Sequence, residues 1–408
     1  MIKNNKKIKN NLYVYILSAG LFGLTSSTYA GIKNEVLVKF KKGYELYGEV
    51  SSKCLGGITK ALKRLGVLKV KLPENITDAH GVQLFNEIPE VEYVEPNFVR
   101  VSHSLNKRQK FKALQDEPYL NDQWNLRQIG CEQGWEITKG KRDVIIAILD
   151  TGVDIHHKDL TYNLVPGYNA ITKDLKIYDI NGHGTHCAGI IGADVSRPFG
   201  VFGVAPECSI MPVKVLGDDG LGYIDWIAEG ITYAVDHGAK ILSMSFGSND
   251  FSRTEKKALD YAWSSGALMV ASAGNHGNNK KNWPAAYERV ISVASLDQKG
   301  KRAKSSNHGK WVDVAAPGKK IYSTVPGGYG YKSGTSMACP HVSGLAGLIW
   351  SVDSKTTNSK VKKNICEHAD DLGDEFIYGR INVRRSLEHA VQKEKSQKIK
   401  GCIFQAIR

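Results

Sequence analysis

The stretch Val144-Ile-Ile-Ala-Ile-Leu149 is an unbroken apolar run, and the carboxylate of Asp150 follows it directly. An unbroken apolar run predicts a strand that is buried on both faces, as in a parallel sheet covered by helices. More short apolar runs alternate with helical patterns further along the chain, at 210–215, 241–244, 268–272 and 290–294. The sequence therefore predicts an α/β core with a mainly parallel sheet between helices, whose functional groups lie at the carboxyl ends of the strands.

The overall composition is that of a globular protein rather than a nucleic-acid-binding one. The chain has 408 residues, of which 42% are hydrophobic, and a formal net charge of +14. Its lysines are spread widely and cluster mainly in the first 71 residues and in the C-terminal tail, as solvated faces and an export signal would explain. It contains no zinc-finger spacing and no compact stretch of basic residues interleaved with aromatic ones. We therefore expect no nucleic-acid partner.

Residues 1–30 have the pattern of a secretory signal peptide. Lysines at positions 3, 6, 7 and 9 precede an apolar run, and Thr28-Tyr-Ala30 places small residues where signal peptidase reads them. A membrane anchor is the alternative, but the apolar run is shorter than the ~20 residues that span a bilayer. We expect cleavage after Ala30 and a secreted, extracellular protein with no membrane association in its mature form.

Composition divides the rest of the chain into four parts. Residues 31–101 predict a small α+β domain, 102–115 are polar and basic like a linker, 116–391 contain the apolar runs, and 392–408 form a polar tail. Within the small domain the patterns predict alternating strands and helices, with strands at 35–40, 65–72 and 91–98 and helices at 57–65 and 81–88.

Three segments contain residues that could do catalysis, and each has an ordinary structural explanation when taken alone. Asp150 could cap the turn that follows it, His183 could be a core histidine, and Ser336 could cap an apolar helix. A metal site on His183 and His186 lacks the intervening glutamate of the zinc-protease helix. We expect Pro340 in the first turn of the helix after Ser336, where a missing N–H removes no hydrogen bond.

Taken together, the three segments resemble the subtilase family of serine proteases. Leu149-Asp-Thr-Gly152, His183-Gly-Thr-His186 and Gly334-Thr-Ser-Met-Ala338 match the family's signatures in the family's order. The resemblance covers about residues 116–391 and implies a three-layer subtilisin-like fold, preceded by a small α+β prodomain.

The resemblance also implies an Asp-His-Ser mechanism. Ser336 would be the nucleophile, His183 the general base and then the general acid, and Asp150 the group that orients the imidazole. Peptide bonds would be hydrolysed through an acyl-enzyme. Asn275 would donate its amide to the oxyanion beside the backbone N–H of Ser336, although a turn asparagine is the alternative interpretation.

Substrate-binding residues follow from the same resemblance. Two edge strands would hold an extended peptide by main-chain hydrogen bonds, and an outer apolar pocket and a main specificity pocket would bind side chains. The edge strands would contain Gly220, Leu221 and Gly222 on one side and Ser245, Phe246 and Gly247 on the other. Ile224 and Ile227 would line the outer pocket, and the stretch 271–274, with Ala273 and Gly274, would form the main pocket. Ile224 and Ile227 could instead be helix core. No acidic residue marks the main pocket, so we expect a broad or apolar preference.

The sequence leaves open whether Cys187 forms a disulfide and whether calcium binds at Asp159. Cys187 resembles the free thiol that a subset of the family carries under the catalytic histidine, but it could also form a disulfide, with Cys339 as one candidate. The family's strong calcium site implies Asp159 as a ligand, yet Arg197 and Pro198 replace oxygen donors in the loop that would complete it. No cofactor is expected for catalysis, and structural calcium at Asp159 stays open.

The stretch 91–98 resembles the end of the subtilase propeptide, whose C-terminal segment occupies the substrate cleft until autocleavage. The chain would then be a self-processing zymogen, cut between Val101 and Asp116. We expect a monomer whose partners are polypeptide substrates and its own propeptide as an intramolecular inhibitor. A retained N-terminal domain is the alternative to a propeptide.

Two further hypotheses concern function. One is a catalytically inactive subtilase scaffold that acts as a binding protein. The other is a processing protease with a narrow dibasic preference, which would need acidic residues in the cleft and for which Asp218, Asp219 and Asp225 are candidates.

Overall fold

A computed structural model describes residues 31–44, 57–104, 123–194, 200–373 and 376–406. The predicted signal peptide lies outside the described residues, as does the predicted linker from residue 105 onward. None of the helices in the described part of the chain combines the length and the hydropathy needed to cross a membrane.

The described residues form the following strands and helices. The strands are β1 Gly31–Phe40, β2 Gly57–Leu62, β3 Val67–Lys71, β4 Val91–Ser102, β5 Ile145–Asp150, β6 Tyr168–Asn169, β7 Ser209–Lys214, β8 Leu221–Tyr223, β9 Ile241–Met244, β10 Phe246–Gly247, β11 Leu268–Ser272, β12 Val290–Leu296, β13 Val314–Pro317, β14 Ile321–Val325, β15 Gly328–Lys332 and β16 Gly379–Arg380. The helices are α1 Asp78–Asn86, α2 Trp124–Gln128, α3 Cys131–Trp135, α4 His183–Gly192, α5 Ile224–Asp236, α6 Arg253–Ser264, α7 Thr335–Val352, α8 Asn358–Glu367 and α9 Val383–Ala406.

An eight-stranded sheet forms the centre of the larger part, with the strand order β16-β13-β12-β11-β9-β5-β7-β6 and parallel pairing throughout. Along β5 the side chains alternate between two cores. Ile146 and Ile148 belong to the core that contains α4 and α7, whereas Ala147 and Leu149 belong to the core that contains α5 and α6. The sheet is therefore covered on both faces, which confirms the predicted three-layer α/β fold.

Helix α7 begins at Thr335, and this start corrects the position predicted for Pro340. Pro340 is the sixth residue of the helix and lies in its second turn, so it withholds an N–H from the carbonyl of Ser336. That carbonyl is satisfied from outside the helix, by the Ser245 hydroxyl at 3.0 Å and the Cys187 thiol at 3.5 Å. The proline is tolerated because two neighbouring side chains replace the lost hydrogen bond.

The N-terminal part is a small antiparallel sheet with helix α1 packed on it. Strand β1 lies between β3 and β4, and β2 pairs with β3. The helix predicted at 57–65 is wrong, because residues 57–62 form β2. The inward-facing residues of β2 include Lys60, which is 8% exposed and pairs with Asp225 at 3.1 Å. A charged residue on the buried face concealed the alternation that would have predicted a strand.

The C-terminal segment beyond residue 391 continues a helix. Helix α9 runs to Ala406 without interruption, so the predicted polar tail is largely the second half of this helix.

Strand β4 joins the two parts, because it pairs with β1 along its first half and with β8 and β10 near its end. Beside it, the Glu95 carboxylate accepts hydrogen bonds from the Ser252 hydroxyl at 2.9 Å and from the backbone N–H groups of Arg253 at 2.8 Å and Thr254 at 2.9 Å. These N–H groups belong to the first turn of α6 and have no partner within the helix. Glu95 therefore supplies a carboxylate to the positive end of a helix dipole.

Asp225, in the first turn of α5, is held by the small domain in the same manner. Its carboxylate accepts from Asn97 at 2.9 Å and is paired with Lys60 at 3.1 Å and Lys69 at 3.3 Å. The side-chain oxygen Oδ1 of Asn97 in turn accepts from the Asp225 N–H at 3.2 Å. Lys60 also pairs with Glu229. Both helices that begin at this interface are thus capped by residues from the opposite side of it.

Glu95→Ala is expected to destabilise the precursor by roughly 2–4 kcal/mol, because charge-assisted hydrogen bonds at a buried helix end are lost. Urea unfolding measures the change, in a Ser336→Ala background that lacks the nucleophile predicted from the sequence. Glu92→Ala is the matched control on the same strand, since Glu92 is 46% exposed and its ion pair with Lys257 is 3.9 Å long. Equal unfolding midpoints for the two variants would contradict the helix-capping role.

Candidate active site

Asp150 and His183 meet at the carboxyl end of the parallel sheet. Asp150 is the last residue of β5 and His183 is the first of α4, and each is 1% exposed. His183 Nδ1 lies 2.6 Å from Asp150 Oδ1, which also accepts the backbone N–H of Thr151 at 2.7 Å. A carboxylate at Nδ1 places the proton of a neutral imidazole on that nitrogen. Nε2 is then left as the basic nitrogen.

Ser336 lies in the first turn of α7 and is fully buried. Its hydroxyl donates to the carbonyl of Ser245 at 2.9 Å. Within the described part of the chain, His183 Nε2 is buried and has no hydrogen-bond partner. The Ser336 hydroxyl is therefore not hydrogen-bonded to the His183 imidazole, because the rotamer of Ser336 directs the hydroxyl toward the Ser245 carbonyl.

The carbonyl oxygen of His103 accepts two hydrogen bonds at this site. Asn275 Nδ2 donates at 2.7 Å and the backbone N–H of Ser336 donates at 3.2 Å. Asn275 is oriented by Thr335, whose backbone N–H donates to Asn275 Oδ1 at 2.9 Å. A side chain at Gly334, where φ is +145°, would collide with the His103 carbonyl. The two donors converge on one carbonyl oxygen as an oxyanion hole does.

The end of β4 lies between the two predicted edge strands. Val99 to Val101 pair with β8, and Val101 and Ser102 pair with β10, both antiparallel. The N–H of Ser102 donates to the Gly220 carbonyl and that of His103 to the Ser245 carbonyl, both at 3.0 Å. The residues predicted to bind the substrate main chain, 220–222 and 245–247, thus bind the chain's own strand.

The imidazole of His103 is buried beside the stretch predicted to form the main specificity pocket. The side chain is 6% exposed, and its Nδ1 lies 2.7 Å from the Ser272 hydroxyl. Of the residues predicted for this pocket, Ala273 packs into a separate apolar cluster with Leu296. The N–H of Gly274 donates to the Thr335 hydroxyl at 3.1 Å, beside the Asn275 amide. Within the predicted pocket stretch 271–274, Ser272 is the residue whose side chain bonds to the imidazole.

Around Arg100, on the strand in the cleft, lie polar and charged groups that the sequence reasoning missed. Ile224 and Ile227 are fully buried in the core that also contains Phe98. Arg100 makes its polar contacts with two residues that were not predicted for the outer pocket, Glu255 and Ser248.

The acidic residues named as candidates for a dibasic preference have other partners. Asp218 pairs with Lys214 at 2.9 Å, Asp219 accepts from the Leu221 N–H, and Asp225 binds the small domain.

Five cysteines lie among the residues whose side chains are described, and none of them forms a disulfide: Cys131, Cys187, Cys208, Cys339 and Cys366. The donor atoms of Cys187, Asp150 and His183 lie within 4.8 Å of one another. Burial raises the pKa of the Cys187 thiol well above its ordinary value. A buried, protonated thiol is a poor metal ligand and a poor nucleophile.

Asp159, the predicted calcium ligand, is 1% exposed. Its Oδ2 accepts from Tyr329 at 2.8 Å and from the Val201 N–H at 3.1 Å, while Oδ1 has no hydrogen-bond partner among the described residues. Gln123 nearby is engaged at both ends by the backbone of Phe202. Calcium takes six to eight oxygens, and this part of the described structure offers one uncommitted carboxylate oxygen. The loop that would complete the site, with Arg197 and Pro198, lies outside the described residues. The residues described at Asp159 do not by themselves supply a calcium shell.

Comparison with known proteins gives matches over most of the chain. The family model described as "Subtilase family" matches residues 141–380, and the one described as "Fervidolysin N-terminal prodomain" matches residues 25–97. The two matches correspond to the two parts that β4 joins.

A thermophilic serine proteinase of Bacillus sp. (strain AK1) is 37% identical over 368 residues, which cover 86% of this chain and 87% of that protein. Thermitase from Thermoactinomyces vulgaris is 41% identical over 277 residues, which cover 67% of this chain and 99% of thermitase. The crystal structure of fervidolysin from Fervidobacterium pennivorans, described as a keratinolytic enzyme related to subtilisin, matches with a TM-score of 0.78 at 30% identity. That match covers 90% of this chain and 62% of fervidolysin.

Docking of His103 is expected to weaken in acid. Burial, together with the nearby charges of His276 and His183, lowers the pKa of the imidazole to about 3, whereas a free histidine has a pKa of about 6.5. The docked strand therefore keeps its full stability above about pH 6.5 and loses it as the pH falls toward 3. Hydrogen exchange at the Ser102 and His103 amides, corrected for intrinsic rates, measures this in the Ser336→Ala precursor.

His103→Gln, which cannot titrate, is the control for that experiment. Its protection should fall less between pH 7.5 and pH 5 than that of the parent. The same loss of protection in both proteins would show that another group is responsible.

Proposed function

The chain belongs to the subtilase family of serine peptidases and carries a fervidolysin-type prodomain, and from this premise we propose that it is a secreted endopeptidase precursor that cuts itself between His103 and Ser104. Asp150, His183 and Ser336 would be its catalytic triad. The observation that carries the proposal is the His103 carbonyl, which accepts hydrogen bonds from Asn275 and from the Ser336 N–H.

The first half of the mechanism forms an acyl-enzyme. Ser336 must leave its hydrogen bond to Ser245, and its oxygen then attacks the His103 carbonyl carbon while His183 Nε2 takes the hydroxyl proton. The charge that develops on the carbonyl oxygen is stabilised by the two donors already in place. The carbon–nitrogen bond breaks, and His183 returns the proton to the nitrogen of Ser104.

The second half releases the prodomain end. Water attacks the ester carbonyl of His103, again with His183 as the base, and leaves a carboxylate on His103 and a restored Ser336 hydroxyl. Asp150 accepts a hydrogen bond from Nδ1 throughout and stabilises the imidazolium that forms in each half. Every polypeptide substrate that follows would bind in the place of residues 99–103.

The remaining features of the proposal concern the organisation of the precursor. Residues 1–30 would be the signal peptide, 31–101 the inhibitory prodomain, 102–115 the segment in which the cut falls, 116–391 the catalytic domain and 392–408 its C-terminal extension. Secretion is supported by the signal-peptide pattern. Inhibition is supported by the strand that fills the cleft. The mature enzyme would act as a monomer and without a catalytic cofactor.

Self-cleavage is tested by expressing the precursor beside its Ser336→Ala variant. We expect the wild type to release a fragment whose mass corresponds to a C-terminus at His103, and a mature chain that begins at Ser104 before any further trimming. The variant should remain whole, because it has no nucleophile. Identical cleavage of both proteins, with neither of them able to degrade a denatured protein, would instead support the inactive binding scaffold.

Asn275→Ala should lower kcat of the mature enzyme by about 10²–10³-fold, the range known for the equivalent loss in subtilisin, with little change in KM. Steady-state kinetics on a peptide substrate separates the two constants. Asn278→Ala is a control in the same loop, and its kinetics should match the wild type. A rise in KM at constant kcat would mean that Asn275 binds the ground state and the transition state equally.

A further inference from the structure

Arg100 occupies a defined substrate position if the proposed cut is correct. With His103 as P1, the residue before the scissile bond, Arg100 is P4, the fourth residue before it. The strand from Val99 to Ser102 is extended and paired on both edges, as a substrate would be. The surroundings of Arg100 therefore form the enzyme's S4 pocket, the pocket for the P4 side chain.

The Arg100 guanidinium is fully buried and paired. Its Nε lies 3.0 Å from Glu255 Oε1 and its Nη2 lies 2.6 Å from Glu255 Oε2, which is the bidentate geometry of an arginine and a carboxylate. Its Nη1 donates to the Ser248 hydroxyl at 2.7 Å and contacts the Val99 carbonyl at 3.4 Å.

The groups that bind this guanidinium belong to the catalytic domain and remain when the prodomain leaves. Glu255 lies in the first turn of α6 and is fully buried, and Ser248 follows β10. The Tyr287 hydroxyl lies 3.1 Å from Glu255 Oε2 and 2.7 Å from the Ser252 carbonyl. The phenol is thus a neighbour of the Glu255 carboxylate that belongs to the catalytic domain and remains when Arg100 leaves.

A buried carboxylate makes this pocket selective. When an apolar side chain enters, it removes water from Glu255 and supplies no positive charge, so the carboxylate is left desolvated. A lysine supplies a charge but cannot form the two parallel hydrogen bonds that a guanidinium forms. Arginine satisfies both requirements.

We propose that Glu255 makes this enzyme selective for polypeptides with arginine at P4, an inference that rests on the proposed peptidase function. Arg100 would then be the prodomain's copy of the preferred substrate residue. This preference differs from the apolar outer pocket expected from the sequence, and it lies at P4 rather than in a dibasic pair at the cut.

The test uses the mature enzyme and quenched fluorescent peptides with the sequence Val-Arg-Val-Ser-His-Ser-Leu-Asn, in which the arginine is replaced in turn by lysine, citrulline or leucine. We expect kcat/KM to fall by at least about 30-fold from arginine to citrulline or leucine, with lysine between them. Citrulline is the sharpest comparison, because it keeps the shape of arginine and lacks its charge.

Glu255→Gln is the matched enzyme variant, and it should abolish most of the difference between the arginine and citrulline peptides. Asp260→Asn is the control on the same helix, since Asp260 is 40% exposed and pairs with Lys256 at the surface. It should retain the full preference. If Glu255→Gln fails to fold, the peptide series on the wild-type enzyme still decides the question.

The outcomes separate this inference from its premise. If the wild type cleaves all four peptides at similar rates, the peptidase function stands and the P4 preference is overturned, which would make Arg100 and Glu255 a prodomain docking contact only. If the wild type cleaves none of the peptides and no denatured protein, the proposed function fails and the inference fails with it.

Discussion

Strand β4 hydrogen-bonds to strands of both parts of the precursor, and the docking of the small part on the larger one depends on this. Its first half completes the small antiparallel sheet through β1, and its end lies between β8 and β10 of the larger part. A strand is fixed in register by its main-chain pairs. Once the small sheet has formed, the chain is therefore delivered to the cleft with the His103 carbonyl at the two donors and Arg100 at Glu255.

The contacts beside β4 show how a small domain holds a much larger one. Its own core is modest, and the joining surface is rich in charged side chains that are buried on both sides, among them Lys60, Glu95 and Arg100. Each of these groups has partners in the larger part, so the surface is satisfied only while the two parts are together. Once they separate, water must take over these roles, and the helix ends at Asp225 and Thr254 lose their capping partners.

The main fold could be predicted because its strands are buried on both faces and read as apolar runs, and the glycine-rich motifs around Asp150, His183 and Ser336 locate the candidate site. The missed features are those in which a polar residue is buried beside a partner that is distant in sequence. Lys60 hid β2, since its partner Asp225 lies 165 positions away. Ser252 and Glu255 have the spacing of a helix capping box, a pattern that predicts a local role for Glu255 at the start of a helix and gives no sign of its distant partner. In the structure the Ser252 hydroxyl does accept from the Glu255 N–H, but the carboxylate binds Arg100 instead.

On the proposed mechanism, the strand that fills the cleft determines when the enzyme becomes active. The first cut is made on a strand that is already seated, so its rate is unimolecular and does not depend on how concentrated the precursor is. Cutting the bond after His103 removes none of the main-chain pairs of residues 99–103 and neither of the ion pairs at Glu255 and Asp225. Departure of the prodomain is then the slow step, and the moment at which activity appears is set by dissociation rather than by chemistry.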